Sequence, residues 1–223
     1  MASGTKPNWI EVIRQAEAMD WANGMPNVLD SLVLSLDCTC TSDGRLADAT
    51  VSAIEQGART YRKRVEAGEK TGLVAVGAGY FNGLALNKPI GSFLMRQWVL
   101  DHSEIAGSIS PDQIYAEPHS YNTLVNALDS GIPLRGKQIG CIYLTADPLH
   151  APRALKTFRG VYNLLGIKTQ IICVPGRMPK YGDSSKWFLR SEIAFRAWNA
   201  VGMLLLPIQL VAIKKALFIS DGC

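Results

Sequence analysis

The stretch IGCIYLTADPLHAPRALKTFRGVYNLL, Ile139 to Leu165, holds the fold in miniature. Ile139–Leu144 is a short apolar run without alternation, which is how a strand buried on both faces reads. A polar, proline-marked turn follows. From Pro152 the apolar residues Ala154, Leu155, Phe158, Val161, Tyr162 and Leu165 recur at helical spacing. The same strand–turn–helix unit appears around Ser31–Leu36, Leu73–Val76, Gln113–Ala116 and Thr169–Val174. The helical stretches between them run from Leu46 to Val65, Ile90 to Leu100 and Ser120 to Leu128. Strand and helix in alternation give an α/β protein: a single domain over 1–223 with a mainly parallel five-stranded sheet and helices on both faces. An N-terminal helical extension (1–28, with a helix from Trp9 to Trp21) and C-terminal helices (185–223) are expected to pack on it.

Composition narrows the function classes. The 223 residues are 48% apolar and carry a net charge of +4. No basic block stands alone, since Arg59, Arg62, Lys63 and Arg64 run straight into Glu66 and Glu69, so nucleic acid is not an expected partner. The first 30 residues are too charged for a signal peptide. The apolar segment Ala200–Ile213, closed by Lys214 and Lys215, is shorter than the ~20 residues of a membrane span. It is read as a buried helix, with no membrane span and a cytoplasmic location. Five cysteines and three scattered histidines offer no metal-ligand spacing, so neither a metal nor disulfides are expected.

Parallel α/β sheets bind ligands beyond the carboxyl ends of their strands. Candidate chemistry therefore sits just after each apolar run. Asp37 follows the first and Gly77-Ala78-Gly79 the second, where glycine lets a backbone approach a ligand. Glu117, Ser120, Asn122, Thr123 and Asn126 follow the third, with Ser120 as helix cap and the next residues in the first turn. Thr145, His150 and Arg153 follow the fourth: an acid/base candidate with a guanidinium one turn later. A carboxylate, neutral donors and a helix N-terminus suit a small polar ligand. The same residues would also serve as ordinary caps and loop closures.

The spacing Glu117-x-x-Ser120-x-Asn122-Thr123-x-x-Asn126-Ala127, with Thr145, His150, Arg153 and Ala154, resembles the family typified by SanA, ElyC and YdcF. The resemblance covers roughly Leu29 to Arg196, with Trp187, Arg190 and Glu192 similar to its C-terminal region. It implies a Rossmann-like fold. It also implies, for the soluble YdcF type, S-adenosylmethionine as ligand or co-substrate. The expected site is then Asp37, Gly77, Ala78, Gly79, Glu117, Ser120, Asn122, Thr123, Asn126, Thr145, His150 and Arg153. His150, Glu117 and Arg153 are its catalytic candidates, for a transfer or cleavage reaction on a small molecule. Two alternatives stand beside it. One is a hydrolase or transferase acting on a phosphorylated or lipid-linked cell-envelope precursor, with His150 as acid/base and Arg153 and Arg190 on phosphate. The other is a non-catalytic ligand sensor.

The chain departs from the family at three places near the site. Leu36-Asp37-Cys38-Thr39-Cys40 replaces a glycine-rich turn, Gly77-Ala78-Gly79 lacks a serine, and Gly91-Ser92-Phe93 lacks a glutamate. The second element is also one residue longer between Thr145 and His150. These changes imply an altered ligand or reaction.

Overall fold

In the computed structural model five strands lie in one sheet: β1 (Val28–Leu36), β2 (Thr71–Val76), β3 (Ile114–Glu117), β4 (Gln138–Ala146) and β5 (Gln170–Pro175). The structure describes residues 10, 13, 14, 17, 20–37, 39–41, 43–78, 90–182 and 191–220. The helices are α1 (Asp48–Glu66), α2 (Gly91–Asp101), α3 (Ser103–Ala106), α4 (Thr123–Gly131), α5 (Ala151–Leu164) and α6 (Glu192–Ser220). Every strand pair is parallel and the order is β3-β2-β1-β4-β5. The chain winds outward from β1 to β3, then returns to the far side of β1. The domain is a Rossmann-like α/β unit whose carboxyl edge is the place for a site.

The sequence explains the layers. Along β1, Leu32, Leu34 and Leu36 point to the face covered by α4 and α5, where Leu128, Phe158 and Tyr162 complete the larger core. Val33 points to the other face, among Ile54, Ala58 and Tyr61 of α1 and Met95 and Val99 of α2. Ser31 and Ser35 share that second face. Each is paired across the sheet, Ser31 with Thr71 at 2.8 Å and Ser35 with Thr145 at 3.0 Å. Gly57 of α1 lies directly above the second pair, where a Cβ would stand 3.1 Å from Ser35 Oγ and 3.2 Å from Thr145 Oγ1. Polar strand residues are accommodated here because they satisfy one another under a helix that carries no side chain at the contact.

Two elements differ from the sequence reading. The cap of α4 is Asn122, whose side chain accepts from the N–H groups of Leu124 and Val125 at 3.0 Å. Ser120 is drawn away from that role by Glu117. The C-terminal apolar segment is not short. It belongs to a 29-residue helix, α6, that continues through Pro207. Phe195, Leu206, Ile213, Ala216 and Leu217 bury one face of it, and Leu210 rests on Gly160 of α5. Its opposite face is exposed. Because α6 is apolar all round, periodicity could not tell which face meets the domain. Most of the N-terminal extension lies outside the described residues, although Ile13 is buried in the larger core.

Candidate functional site

The strand ends bring the predicted residues to one edge but divide them into two groups. The first group surrounds Glu117, the last residue of β3. Its carboxylate is fully buried. Oε1 accepts the backbone N–H groups of His119 at 2.6 Å and Ser120 at 3.0 Å, and the Ser120 hydroxyl donates to Oε2. Burial raises the Glu117 pKa, against the lowering effect of these donors. The loop it closes is laced to its neighbours through the backbone. Gly77 N–H donates to the Glu117 carbonyl at 3.0 Å and Ala78 N–H to that of Ser120 at 2.6 Å. Gly91 and Ser92, opening α2, donate back to the carbonyls of Ala78 and Gly77. Glu117 and Ser120 thus hold three loops together, with their polar atoms turned inward.

Gly77 and Asp37 belong to the same framework. Gly77 has φ +124°, and a Cβ on it would stand 2.9 Å from Asp37 Cβ. The close approach that requires glycine is to Asp37 rather than to a ligand. Asp37 itself is buried and accepts from Thr50 Oγ1 of α1 at 2.8 Å. Thr145, placed against Ser35 and Gly57, is also inside the packing. Gly79 lies outside the described residues, as do Cys38, Trp187 and Arg190.

Asn126 and Asp129 of α4 extend this buried polar layer. Both are almost wholly buried, and Oδ1 of each lacks a hydrogen-bond partner. Burial pushes the Asp129 carboxyl up to about 9, helped by the negative field of Glu117. Asp129 was not among the residues picked out from the sequence. An acid among apolar helix residues, one turn beyond Asn126, is the signal that could have marked it.

The second group gathers around Thr123. Thr123 opens α4, and the turn after β4 delivers His150 and Arg153 to it from 27 and 30 positions away. Thr123 Oγ1 lies 2.9 Å from His150 Nε2 and 2.8 Å from Arg153 Nη2, which is itself 3.3 Å from that ring nitrogen. A guanidinium only donates, so Thr123 oxygen and His150 Nε2 both face it as acceptors. That arrangement directs the Thr123 proton at Nε2. This hydroxyl also sits in the first turn of α4, at the positive end of the helix dipole.

The turn carrying His150 is fixed by a residue the sequence reading passed over. Asp147 is fully buried and accepts the backbone N–H of Leu149 at 2.8 Å and of His150 at 3.3 Å. Tyr181 Oη donates to it at 3.0 Å. Burial raises the Asp147 pKa, against these donors. An Asp-Pro pair at a strand end was the available signal, since it favours turn initiation. Phe195 of α6 sets its ring edge-on to His150, with centroids 6.3 Å apart.

Thr123 and Arg153 open onto a cavity of about 230 Å³ between α4, α5 and α6. Its polar wall is Asn122, Thr123, Arg153 and Thr157, and its other wall is Trp198, Val201, Leu205 and Gln209 of α6. Gly202 lets Arg153 lie along α6, because a Cβ there would come within 2.6 Å of Nη1. A larger cleft of about 800 Å³ opens beside Gln138 and Thr169, at the amino ends of β4 and β5. That is the wrong edge for a site of this fold. Comparison with protein-family models, with curated proteins and with solved structures gives no match for this chain. One cation, a hydrogen-bonded Thr–His pair and an apolar wall can hold an anionic head joined to an apolar body. They can also supply a nucleophile to it.

Proposed function

We propose that this protein is a hydrolase or transferase for a small molecule with a phosphoester head and an apolar body, such as a phosphorylated or lipid-linked precursor. The observation that carries the reading is Thr123 Oγ1 held between His150 Nε2 and Arg153 Nη2 at the wall of the cavity. Arg153 holds the phosphoryl oxygens, and α6 lines the apolar part. Thr123 Oγ1 forms the new bond to phosphorus while the bond to the leaving oxygen breaks, that oxygen keeping the electron pair. The Thr123 proton passes to His150 Nε2, which returns it to Thr123 Oγ1 when the phosphoryl group departs; the leaving oxygen, on the far side of phosphorus, takes its proton from solvent. Water or an acceptor hydroxyl then takes the phosphoryl group from Thr123 and restores the hydroxyl. His150 lies behind Thr123 rather than in the cavity wall, so it is a positioning and proton-accepting residue in this scheme.

S-adenosylmethionine, which the family resemblance implies, fits this cavity poorly. Its sulfonium and ammonium need counter-charge, and none of the described lining residues is acidic. Glu117 is committed to its own loop. It serves as the comparison compound in the test.

The test is incubation with para-nitrophenyl phosphate and octyl phosphate, followed by phosphate release and intact mass. Wild type should release phosphate and show a phosphoryl adduct at Thr123, and Thr123→Ala should show neither. Phosphate release that survives both Thr123→Ala and Arg153→Gln would overturn the reading. Tight binding of S-adenosylmethionine without any response to the phosphoesters would overturn it too.

A further inference from the structure

By length and composition α6 is apolar enough to cross a membrane: the most apolar 18-residue window within Glu192–Phe218 has a mean hydropathy of 1.7, and only 22% of that window is buried. No charged residue interrupts it from Ala197 to Ile213, a run of about 25 Å at helical rise. Its buried residues, Phe195, Leu206, Ile213 and Leu217, share one side. Ile193 (82% exposed), Val201, Leu204 (77%), Ile208 (70%), Val211 and Phe218 (84%) fall on the opposite side at helical spacing. Scattered exposed apolar residues need no explanation, but a continuous stripe does.

We propose that this outer face of α6 docks onto an anionic lipid surface, with the helix lying in the interface and the domain above it. Two observations select that occupant. The first is charge. Lys214 and Lys215 are exposed at the C-terminal end of the stripe, and Lys215 falls within it by helical spacing. A lipid interface accepts such a residue, since the ammonium reaches the headgroups while the stem lies among apolar groups. A second copy of the chain packed on the stripe would have to bury it. The second is shape. The stripe is one helix wide and runs from Ile193 to Phe218, the form in which a helix lies along a lipid interface. Threading through the bilayer would require stripping α6 from α5, against which its other face is packed. The proposal stands whether or not the cavity takes a phosphoester. Val201 of the stripe and its exposed neighbour Leu205 also line the cavity, so docking would set the cavity mouth at the lipid plane.

The experiment is co-sedimentation of the full chain with vesicles of phosphatidylcholine alone and of phosphatidylcholine with phosphatidylglycerol, beside light scattering of the free protein. The expected result is a monomer that sediments with the anionic vesicles at least tenfold more strongly than with the neutral ones. Leu204→Glu/Ile208→Glu should lower that binding tenfold or more with an unchanged melting temperature, because both side chains are exposed. Lys214→Glu/Lys215→Glu should remove the preference for phosphatidylglycerol. Failure to sediment with either vesicle would overturn the proposal. So would a dimer that the Leu204/Ile208 variant dissociates.

Discussion

Glu117 and Arg153 come from two halves of one sequence pattern, and the fold uses them in opposite ways. Glu117 is sealed under its loop, with both carboxylate oxygens taken by Ser120 and the His119 and Ser120 amides. Arg153 lines a cavity, with its guanidinium on the hydroxyl of Thr123. A carboxylate near a strand end is an equally good reading for a ligand wall or for a loop closure, and only burial separates them. The comparison teaches that the first half of the pattern builds the edge while Thr123, with the second half, faces the cavity where the proposed chemistry would take place.

The sharpest break of that division is at Thr123. Thr123→Ala should lower phosphoester turnover by about 10³-fold or more, as loss of a nucleophile does, while leaving the melting temperature nearly unchanged. Steady-state phosphate release and a thermal scan check it. An inactive and unfolded variant would mean that Thr123 belongs with Glu117 as a structural residue.

The buried half should show itself in the pH dependence of stability. The folded-state pKa of Asp129, about 9, lies above its unfolded value of about 4. Its contribution is therefore complete below pH 4 and is lost as the pH rises toward 9. Glu117, raised in the same direction by burial, adds to the slope. Asp129→Asn should stabilise the protein at pH 8 by on the order of 2 kcal/mol and flatten the decline between pH 5 and 9. Urea unfolding across that range measures it.

Two glycines sharpen the comparison further. Gly77→Ala forces a side chain onto φ +124° and into Asp37; the expected loss is about 1–3 kcal/mol of stability, with ligand affinity of the folded protein unchanged. Gly202→Ala meets only the flexible end of Arg153. It should displace the guanidinium and weaken phosphoester binding about fivefold, roughly 1 kcal/mol, with little change in melting temperature.

Much of the fold was legible because each strand is a short apolar run bounded by turn residues. Gln113 went astray at the start of β3 because it closes a short 3-10 turn, Pro111–Gln113, and Pro175 extends β5 by one residue. The candidate residues were legible as a set at one sheet edge, but not which of them the fold seals and which it sets on a cavity. Nothing in the pattern says that Ser120 turns back to Glu117, that Thr145 faces Ser35 under Gly57, or that Thr123 is the meeting point. Those outcomes depend on which face each residue presents once the sheet is assembled. Asp147 and Tyr181, 34 positions apart, meet only in the folded chain. The exposed side of α6 was hidden for a similar reason, since a helix apolar all round does not reveal which face the domain takes.

The most direct measurement is calorimetric titration of octyl phosphate into wild type, Glu117→Gln and Arg153→Gln. The account predicts that Glu117→Gln binds within about threefold of wild type, a difference below 1 kcal/mol, despite a lower melting temperature. Arg153→Gln should bind about 10- to 100-fold more weakly, the loss of a hydrogen bond to a charged group. Affinity that collapses in Glu117→Gln and survives in Arg153→Gln would contradict it.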